Sequence, residues 1–146
     1  MRSREPFELN AQLSADSFEV GRLSLCRVLL MNDSRFPWLI LVPQRAGLVD
    51  LIDLKNSDYA TCMNEVRQAS EALREAFNPD KLNVAALGNV VPQLHVHVIA
   101  RFRTDAAWPR PVWGGPPAPP YAPEAAVKRI NDLRAALRLP GLRTED

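Results

Sequence analysis

His95 and His97 are the only two histidines in this chain of 146 residues, and they are separated by a single residue. They lie in residues 87–101, which read LGNVVPQLHVHVIAR. Near neutral pH an imidazole is largely unprotonated, so one of its ring nitrogens can attack an electrophile or bind a metal ion. This pair is therefore the first candidate for chemistry in the sequence.

Polar and apolar residues alternate around the histidines, which is the pattern of a strand with two different faces. On such a strand one face carries a polar row made of Gln93, His95 and His97. The opposite face carries the apolar residues Leu94, Val96 and Val98. The sequence therefore predicts that a strand presents both imidazoles and one amide in the same direction, with a core behind them.

Two simpler interpretations of this row remain open from the residues alone. One is a half-exposed strand whose polar residues have no function. The other is a metal site, because two imidazoles on one strand face can share an ion. A stable site needs three or four ligands, and the further ligands would have to be distant carboxylates or Cys26 and Cys62. We therefore predict no bound metal and no cofactor.

The segment PQLHVHVIAR resembles the signature of the histidine-triad (HIT) family, HφHφHφφ, where φ is apolar and Pro-Arg often follows. His95 takes the middle position and His97 the last. Gln93 occupies the first position, which is usually histidine. Sequences with glutamine in place of this first histidine resemble a bacterial branch of HIT hydrolases. Residues 37–43, PWLILVP, resemble the family's Pro-Gly-His-x-Leu-Val-x-Pro segment, with Trp38 and Leu39 in place of Gly-His. The resemblance covers about residues 25–101.

This resemblance implies a nucleotide hydrolase or transferase that cleaves a phosphoanhydride or phosphoramidate bond, for example in a dinucleoside polyphosphate. His95 would attack phosphorus and form a nucleotidyl-histidine intermediate, while a nearby acceptor, such as a backbone carbonyl, holds the proton on its other nitrogen. His97 would donate to a nonbridging phosphate oxygen. Gln93 completes the predicted catalytic set, although an amide can donate a hydrogen bond but cannot act as a general acid.

Three asparagines are candidates for substrate binding by the same resemblance. Asn32 matches a ribose-contacting position, Asn83 a residue that reaches the phosphates from the neighbouring strand, and Asn89 a phosphate-contacting region. Each could instead be a simple turn former. Two other functions also remain open, a nucleotide-binding module without catalysis and a metal-binding H-x-H protein. The resemblance further implies a homodimer.

Composition limits the other possibilities. A chain of 146 residues is expected to form a single domain over residues 1–146. The net charge of +1 gives no electrostatic case for bulk nucleic acid or an anionic membrane as partner. The apolar run 38–43 is too short to span a bilayer, and the first residues contain no apolar signal region. Cys26 and Cys62 are predicted to be buried free thiols in a reducing cytoplasm.

The elements expected to position the histidines suggest an α+β fold with a mainly antiparallel sheet, one long central helix and a C-terminal helix. The strands are predicted at 17–20, 22–31, 37–43 and 81–87, followed by the histidine strand. The long helix is predicted at 58–77, with Asn56 or Ser57 as its cap. Its buried stripe is expected to be Tyr59, Met63, Val66, Ser70, Leu73 and Phe77, and its solvated face Glu65, Arg67, Glu71, Arg74 and Glu75.

Residues 104–123 are predicted to form an extended arm, because they hold seven of the thirteen prolines, and proline is excluded from helix interiors and central strands. This arm is expected to cover the core. Alternatively, Trp108 or Trp113 helps to wall a pocket or contacts a partner subunit. A last helix is predicted at 124–139, with its apolar side formed by Val127, Ile130, Leu133 and Leu137.

Overall fold

The structure, a computed structural model, describes residues 5–139. Its strands form one five-stranded sheet in the order β1-β2-β3-β5-β4, and all neighbouring strands are antiparallel. The strands are β1 (Ser17–Arg22), β2 (Cys26–Met31), β3 (Trp38–Pro43), β4 (Lys81–Ala85) and β5 (Val96–Arg101). The helices are α1 (Ala11–Ala15), a 3-10 turn at Leu51–Asp53, α2 (Asn56–Phe77) and α3 (Pro123–Ala136). The predicted α+β class is confirmed.

The sheet is covered on both faces. Every residue of β3 and of β5 is buried, as expected for strands in the middle of a sheet that is covered on both faces. On one face Val28, Leu41 and Val98 pack with residues of α2 and α3. On the other face Leu29, Ile40 and Ile99 pack with other residues in a second cluster. His97 pairs with Ile40 across β3 and β5 and therefore belongs to this second face.

The second face is covered by the N-terminal segment and by the proline-rich arm. Leu13 of α1 and Val112 of the arm are both buried in the second cluster. Residues 103–122 contain no helix or strand, as their proline content predicts. The N-terminal segment and the arm therefore cover the face of the sheet that carries His97.

Helix α2 departs from its predicted pattern in two ways. Its N-cap is Lys55, which makes no side-chain cap hydrogen bond, so the predicted cap by Asn56 or Ser57 is wrong. Its buried side is also rotated, because Tyr59 is 41% exposed whereas Glu65 is 2% exposed. Both carboxylate oxygens of Glu65 accept hydrogen bonds from backbone amides at the start of β2, those of Leu25 and Cys26. The prediction that Glu65 is solvated is therefore wrong.

Other boundaries shift by a few residues. The histidine strand begins at Val96, so Gln93, Leu94 and His95 precede it, and residues 86–95 form an irregular connection. In α3 Val127 is 56% exposed and Ala126 is buried in its place. Cys26 and Cys62 are buried free thiols, as predicted. Within residues 5–139 no helix combines the length and the apolar character that crossing a bilayer requires.

Candidate active site

The imidazole of His95 is held by the backbone of Gln93, two residues before it. Its Nδ1 lies 2.6 Å from the carbonyl oxygen of Gln93. A carbonyl oxygen can only accept a hydrogen bond, so Nδ1 carries the proton. In the neutral ring the other nitrogen, Nε2, then has a free lone pair. The structure therefore leaves His95 with a defined tautomer in which Nε2 carries the free lone pair.

His97 has the opposite tautomer. The indole Nε1 of Trp38 donates to Nδ1 of His97 over 3.0 Å, so in the neutral ring the proton is on Nε2. Burial, and then the neighbouring His95, lower the pKa of His97 to about 4. Near neutral pH His97 is therefore an uncharged hydrogen-bond donor through Nε2.

The two imidazoles lie against each other at the floor of a cavity. Their ring centroids are 4.9 Å apart, and the indole of Trp113 packs edge-on against His97 at 5.0 Å. The cavity measures about 430 Å³, which is within the range of small-molecule sites. The other lining residues come from the N-terminal segment, the sheet and the connection before β5: Gln12, Leu13, Asp16, Met31, Ile40, Leu87, Gly88, Asn89, Val90 and Val91.

A second cavity adjoins the first. It measures about 350 Å³ and shares Leu87, Gly88 and His95 with the first cavity. Its remaining lining is mostly apolar and comes from the segment around the 3-10 turn, from Ala86 and from Leu94. His95 therefore borders two neighbouring spaces.

Gln93 does not join the imidazoles in a single polar row. Its side-chain amide is turned to the N-terminal segment, where it bonds to the backbone of Glu8 and Asn10. The residue is absent from the lining of the cavity. The predicted set of three side chains is thus brought together for His95 and His97 but not for the amide of Gln93.

Of the three asparagines, Asn89 lines the cavity. The side-chain oxygen Oδ1 of Asn32 accepts from the backbone amide of Tyr121 over 2.8 Å. The side-chain oxygen Oδ1 of Asn83 accepts from the guanidinium of Arg101 over 2.9 Å. Neither Asn32 nor Asn83 is among the residues that line the two cavities. The structure therefore places Asn89 at the cavity, while the ligand roles of Asn32 and Asn83 stay predictions.

Sequence reasoning did not identify the wall made by Gln12, Leu13 and Asp16, because the N-terminal residues show no clear periodicity. It did identify Trp113 as a possible pocket residue, and this residue lies in the cavity. Trp108 instead lies over the guanidinium of Arg101 at 5.7 Å. Among residues 5–139 no three side chains of His, Cys, Asp or Glu are grouped so that they could hold a metal ion.

Residues 12–104 match the HIT domain family. The fold and much of the sequence are shared with histidine triad proteins of known structure. The protein from Bradyrhizobium japonicum is 44% identical, with a TM-score of 0.89 over 91% of this chain and 99% of that one. The protein from Marinobacter aquaeolei is also 44% identical, with a TM-score of 0.89 over 92% and 98%. The protein from Sinorhizobium meliloti is 42% identical, with a TM-score of 0.87 over 89% and 96%.

The chain therefore belongs to the HIT family, and the predicted resemblance is confirmed. Membership indicates a nucleotide-binding, hydrolase-type function. No curated protein matches the chain.

Proposed function

We propose that this protein cleaves a phosphoanhydride or phosphoramidate bond of a nucleotide through a covalent nucleotidyl intermediate on His95. The observation that carries the proposal is the hydrogen bond from His95 Nδ1 to the Gln93 carbonyl. It holds the proton on one nitrogen and leaves the other nitrogen free to attack. A nucleophile whose tautomer is set in advance avoids the cost of reorganisation at the moment of reaction.

In the first step, the lone pair of His95 Nε2 forms a bond to phosphorus. The bond from phosphorus to the leaving group breaks, and the leaving group departs with the electron pair. A polyphosphate departs as a stable anion, whereas an amine takes a proton from solvent as it leaves. In the second step, water attacks the same phosphorus and gives up a proton to solvent, and the bond to His95 Nε2 breaks with its electron pair returning to the nitrogen. The products are a nucleoside monophosphate and free enzyme.

His97 supports this reaction as an uncharged donor. The Nε2–H of His97 would bond to a nonbridging oxygen on which negative charge accumulates during attack, and such stabilisation is usually a large part of catalysis. Asn89 is the proposed phosphate ligand from the connection before β5. The two cavities that meet at His95, of about 430 and 350 Å³, give room for both halves of a dinucleoside polyphosphate. No chemical step is assigned to the side chain of Gln93.

The test is a panel of adenylated and guanylated substrates, including dinucleoside polyphosphates and nucleoside phosphoramidates, assayed with and without a chelator. We expect turnover that the chelator does not abolish, and an adduct of one nucleotidyl group, trapped by an alkaline denaturing quench because the phosphorus–nitrogen bond is acid-labile, that peptide mapping places on His95. Loss of activity with the chelator and rescue by zinc would favour the metal-binding alternative. Nucleotide binding without turnover or adduct would identify a binding module instead.

From the family we also propose that the protein acts as a homodimer in the cytoplasm. Strand β4 is an edge of the described sheet, and the half-exposed apolar residues Val84 and Leu87 lie in or just after it. Packing of the two β4 edges against each other in a dimer would cover backbone groups that an exposed edge strand leaves unpaired. Light scattering on the purified protein would give twice the chain mass if the dimer forms and the single mass if it does not.

A further inference from the structure

Gln93 uses both ends of its side-chain amide to hold the N-terminal segment. Its Nε2 donates to the carbonyl oxygen of Glu8 over 2.8 Å, and its Oε1 accepts from the backbone amide of Asn10 over 2.9 Å. These contacts join positions more than eighty residues apart in the chain. The segment therefore has a defined attachment to the connection that precedes β5.

The attached segment leads directly into one wall of the cavity. Asn10 caps α1, because its Oδ1 accepts from the backbone amide of Gln12 over 2.8 Å. Leu13 of that helix is 5% exposed and packs in the same apolar cluster as Ile40. Gln12 and Leu13 both line the cavity. The position of this wall is therefore linked to the two hydrogen bonds that Gln93 makes with the backbone of residues 8–10.

The backbone of the same residue positions the proposed nucleophile. The Gln93 carbonyl accepts from His95 Nδ1 over 2.6 Å while the Gln93 side chain holds the wall. One residue thus contacts both His95 and the segment that leads into a wall of the same cavity.

We propose that Gln93 is a positioning residue that sets the spacing between the N-terminal wall and His95, and that it is not a substitute for a lost acid. This inference rests on the proposed function. The spacing that Gln93 sets would affect the binding of the nucleoside. This part of the substrate is remote from the reacting phosphorus and must lie against a wall of the cavity. Binding energy from such a remote part can be used to orient the reacting centre.

Amide chemistry explains why glutamine suits this place. The oxygen and nitrogen of a side-chain amide lie on one carbon and offer an acceptor and a donor close together. A neutral imidazole also has one donor and one acceptor, but its two nitrogens point in diverging directions from the ring. A histidine at this position could not bond to the Glu8 carbonyl and the Asn10 amide together as the amide does.

The kinetic test compares Gln93→Ala and Gln93→His with Gln44→Ala. Gln44 is a matched control, because its amide also donates to a backbone carbonyl, that of Leu25, but it lines neither cavity. For a nucleoside phosphoramidate we expect KM to rise about ten-fold in both Gln93 variants, as loss of two neutral hydrogen bonds predicts. We expect kcat to change much less, and a phosphoramidate without a nucleoside to show no change in KM.

Two kinetic outcomes would overturn the proposal. One is a gain in kcat for Gln93→His on substrates with amine leaving groups while KM stays constant, because that is the result of restoring a proton donor. The other is an equal loss for substrates with and without the nucleoside. The control Gln44→Ala should match the parent on every substrate.

A second readout does not depend on turnover. In the substrate-free protein, hydrogen exchange of the Asn10 amide and of residues 11–13 should accelerate in Gln93→Ala and stay unchanged in Gln44→Ala. Gln93→Glu keeps an acceptor for Asn10 but loses the donor to Glu8, so its exchange rates should be intermediate. This variant still tests the anchor if Gln93→Ala fails to fold. Unchanged exchange in Gln93→Ala would refute the anchor. If the parent protein shows no turnover, the proposed function is refuted, whereas the hydrogen-exchange measurement still decides whether Gln93 anchors the N-terminal segment.

Discussion

The indole of Trp38 donates a hydrogen bond to Nδ1 of His97 over 3.0 Å, and the two rings meet edge-on with centroids 5.6 Å apart. Trp38 is the first residue of β3 and is 3% exposed. It stands in the segment where the family commonly has Gly-His. Trp38 therefore determines which nitrogen of His97 carries the proton.

Replacing Trp38 with phenylalanine should keep an aromatic ring beside His97 but remove the donor. The Nδ1 lone pair would then lack its partner, and the proton could move between the two nitrogens. We expect kcat/KM to fall about ten-fold to one-hundred-fold, which corresponds to loss of a buried hydrogen bond. Nitrogen NMR of His97 should show mixed tautomers in the variant and one tautomer in the parent.

The control for this change is Trp108→Phe. Trp108 packs against the guanidinium of Arg101 and lines neither cavity. It should lose little activity and keep the tautomer of His97. If Trp38→Phe leaves both the NMR signals and kcat/KM unchanged, Trp38 does not direct the proton.

The pKa of His97 makes stability dependent on pH. Burial, and then the charge of His95, lower this pKa from the usual 6.5 to about 4, so the folded protein keeps the ring neutral where an unfolded chain would protonate it. The unfolded state therefore binds more protons between these values. The free energy of unfolding should fall as the pH drops from about 6.5 to about 4, by about 3 kcal/mol from this group.

Denaturant titrations at several pH values between 4 and 7.5 would measure this loss. The variant His97→Gln cannot titrate and should show a shallower dependence over the same interval. An identical pH dependence in both proteins would mean that His97 is not held neutral by the fold.

The parts of the fold that follow from local patterns were predictable. The unbroken apolar run of β3 marks a strand covered on both faces, and the alternation around the histidines places Leu94 and Val98 in the core. The prolines of the arm exclude helix and strand. In each case the evidence lies within a few consecutive residues, so no knowledge of distant partners is needed.

The parts that depend on distant partners were not predictable. Glu65 lies on a charged stretch of α2, and only the backbone amides of Leu25 and Cys26 reveal why it is buried. Gln93 fits the polar row by its position, yet its partners are Glu8 and Asn10. Period-two spacing assigns a residue to a face, but it does not show which group on another segment will satisfy the side chain.

Arg101 and Asp105 form a buried ion pair that ties the arm to β5. Their side chains are 2% and 3% exposed, and two guanidinium nitrogens donate to the two carboxylate oxygens over 2.8 and 3.1 Å. Burial alone would raise the pKa of Asp105, but the bonds from Arg101 and from three backbone amides outweigh it and hold the pKa well below its usual range. The carboxylate therefore stays charged at any ordinary pH.

Asp105→Ala should leave the Arg101 guanidinium buried without its counter-ion and lower the free energy of unfolding by about 3–5 kcal/mol. The matched control is Asp132→Ala, which breaks a pair with Lys128 on the surface of α3 and should change stability by less than about 0.5 kcal/mol. Urea unfolding of both variants would measure the difference. Equal effects would show that the buried pair does not hold the arm.

The last prediction concerns His95 itself. His95→Ala should abolish turnover and the covalent adduct, because it removes the imidazole whose Nε2 lone pair is kept free by the bond between Nδ1–H and the Gln93 carbonyl. Affinity for the nucleotide should stay within an order of magnitude of the parent, since the nucleophile is not the main anchor of the substrate. Calorimetry with a slowly cleaved nucleotide measures the binding, and single-turnover assays measure the chemistry.

The space left by the missing ring provides an internal check on the same variant. Added imidazole should enter the cavity and restore part of the turnover of His95→Ala, while it should leave the activity of His97→Ala unchanged. The reason is that free imidazole can replace a nucleophile more readily than it can replace a donor whose direction Trp38 sets. Parent-like activity in His95→Ala without added imidazole would refute its assignment as the nucleophile.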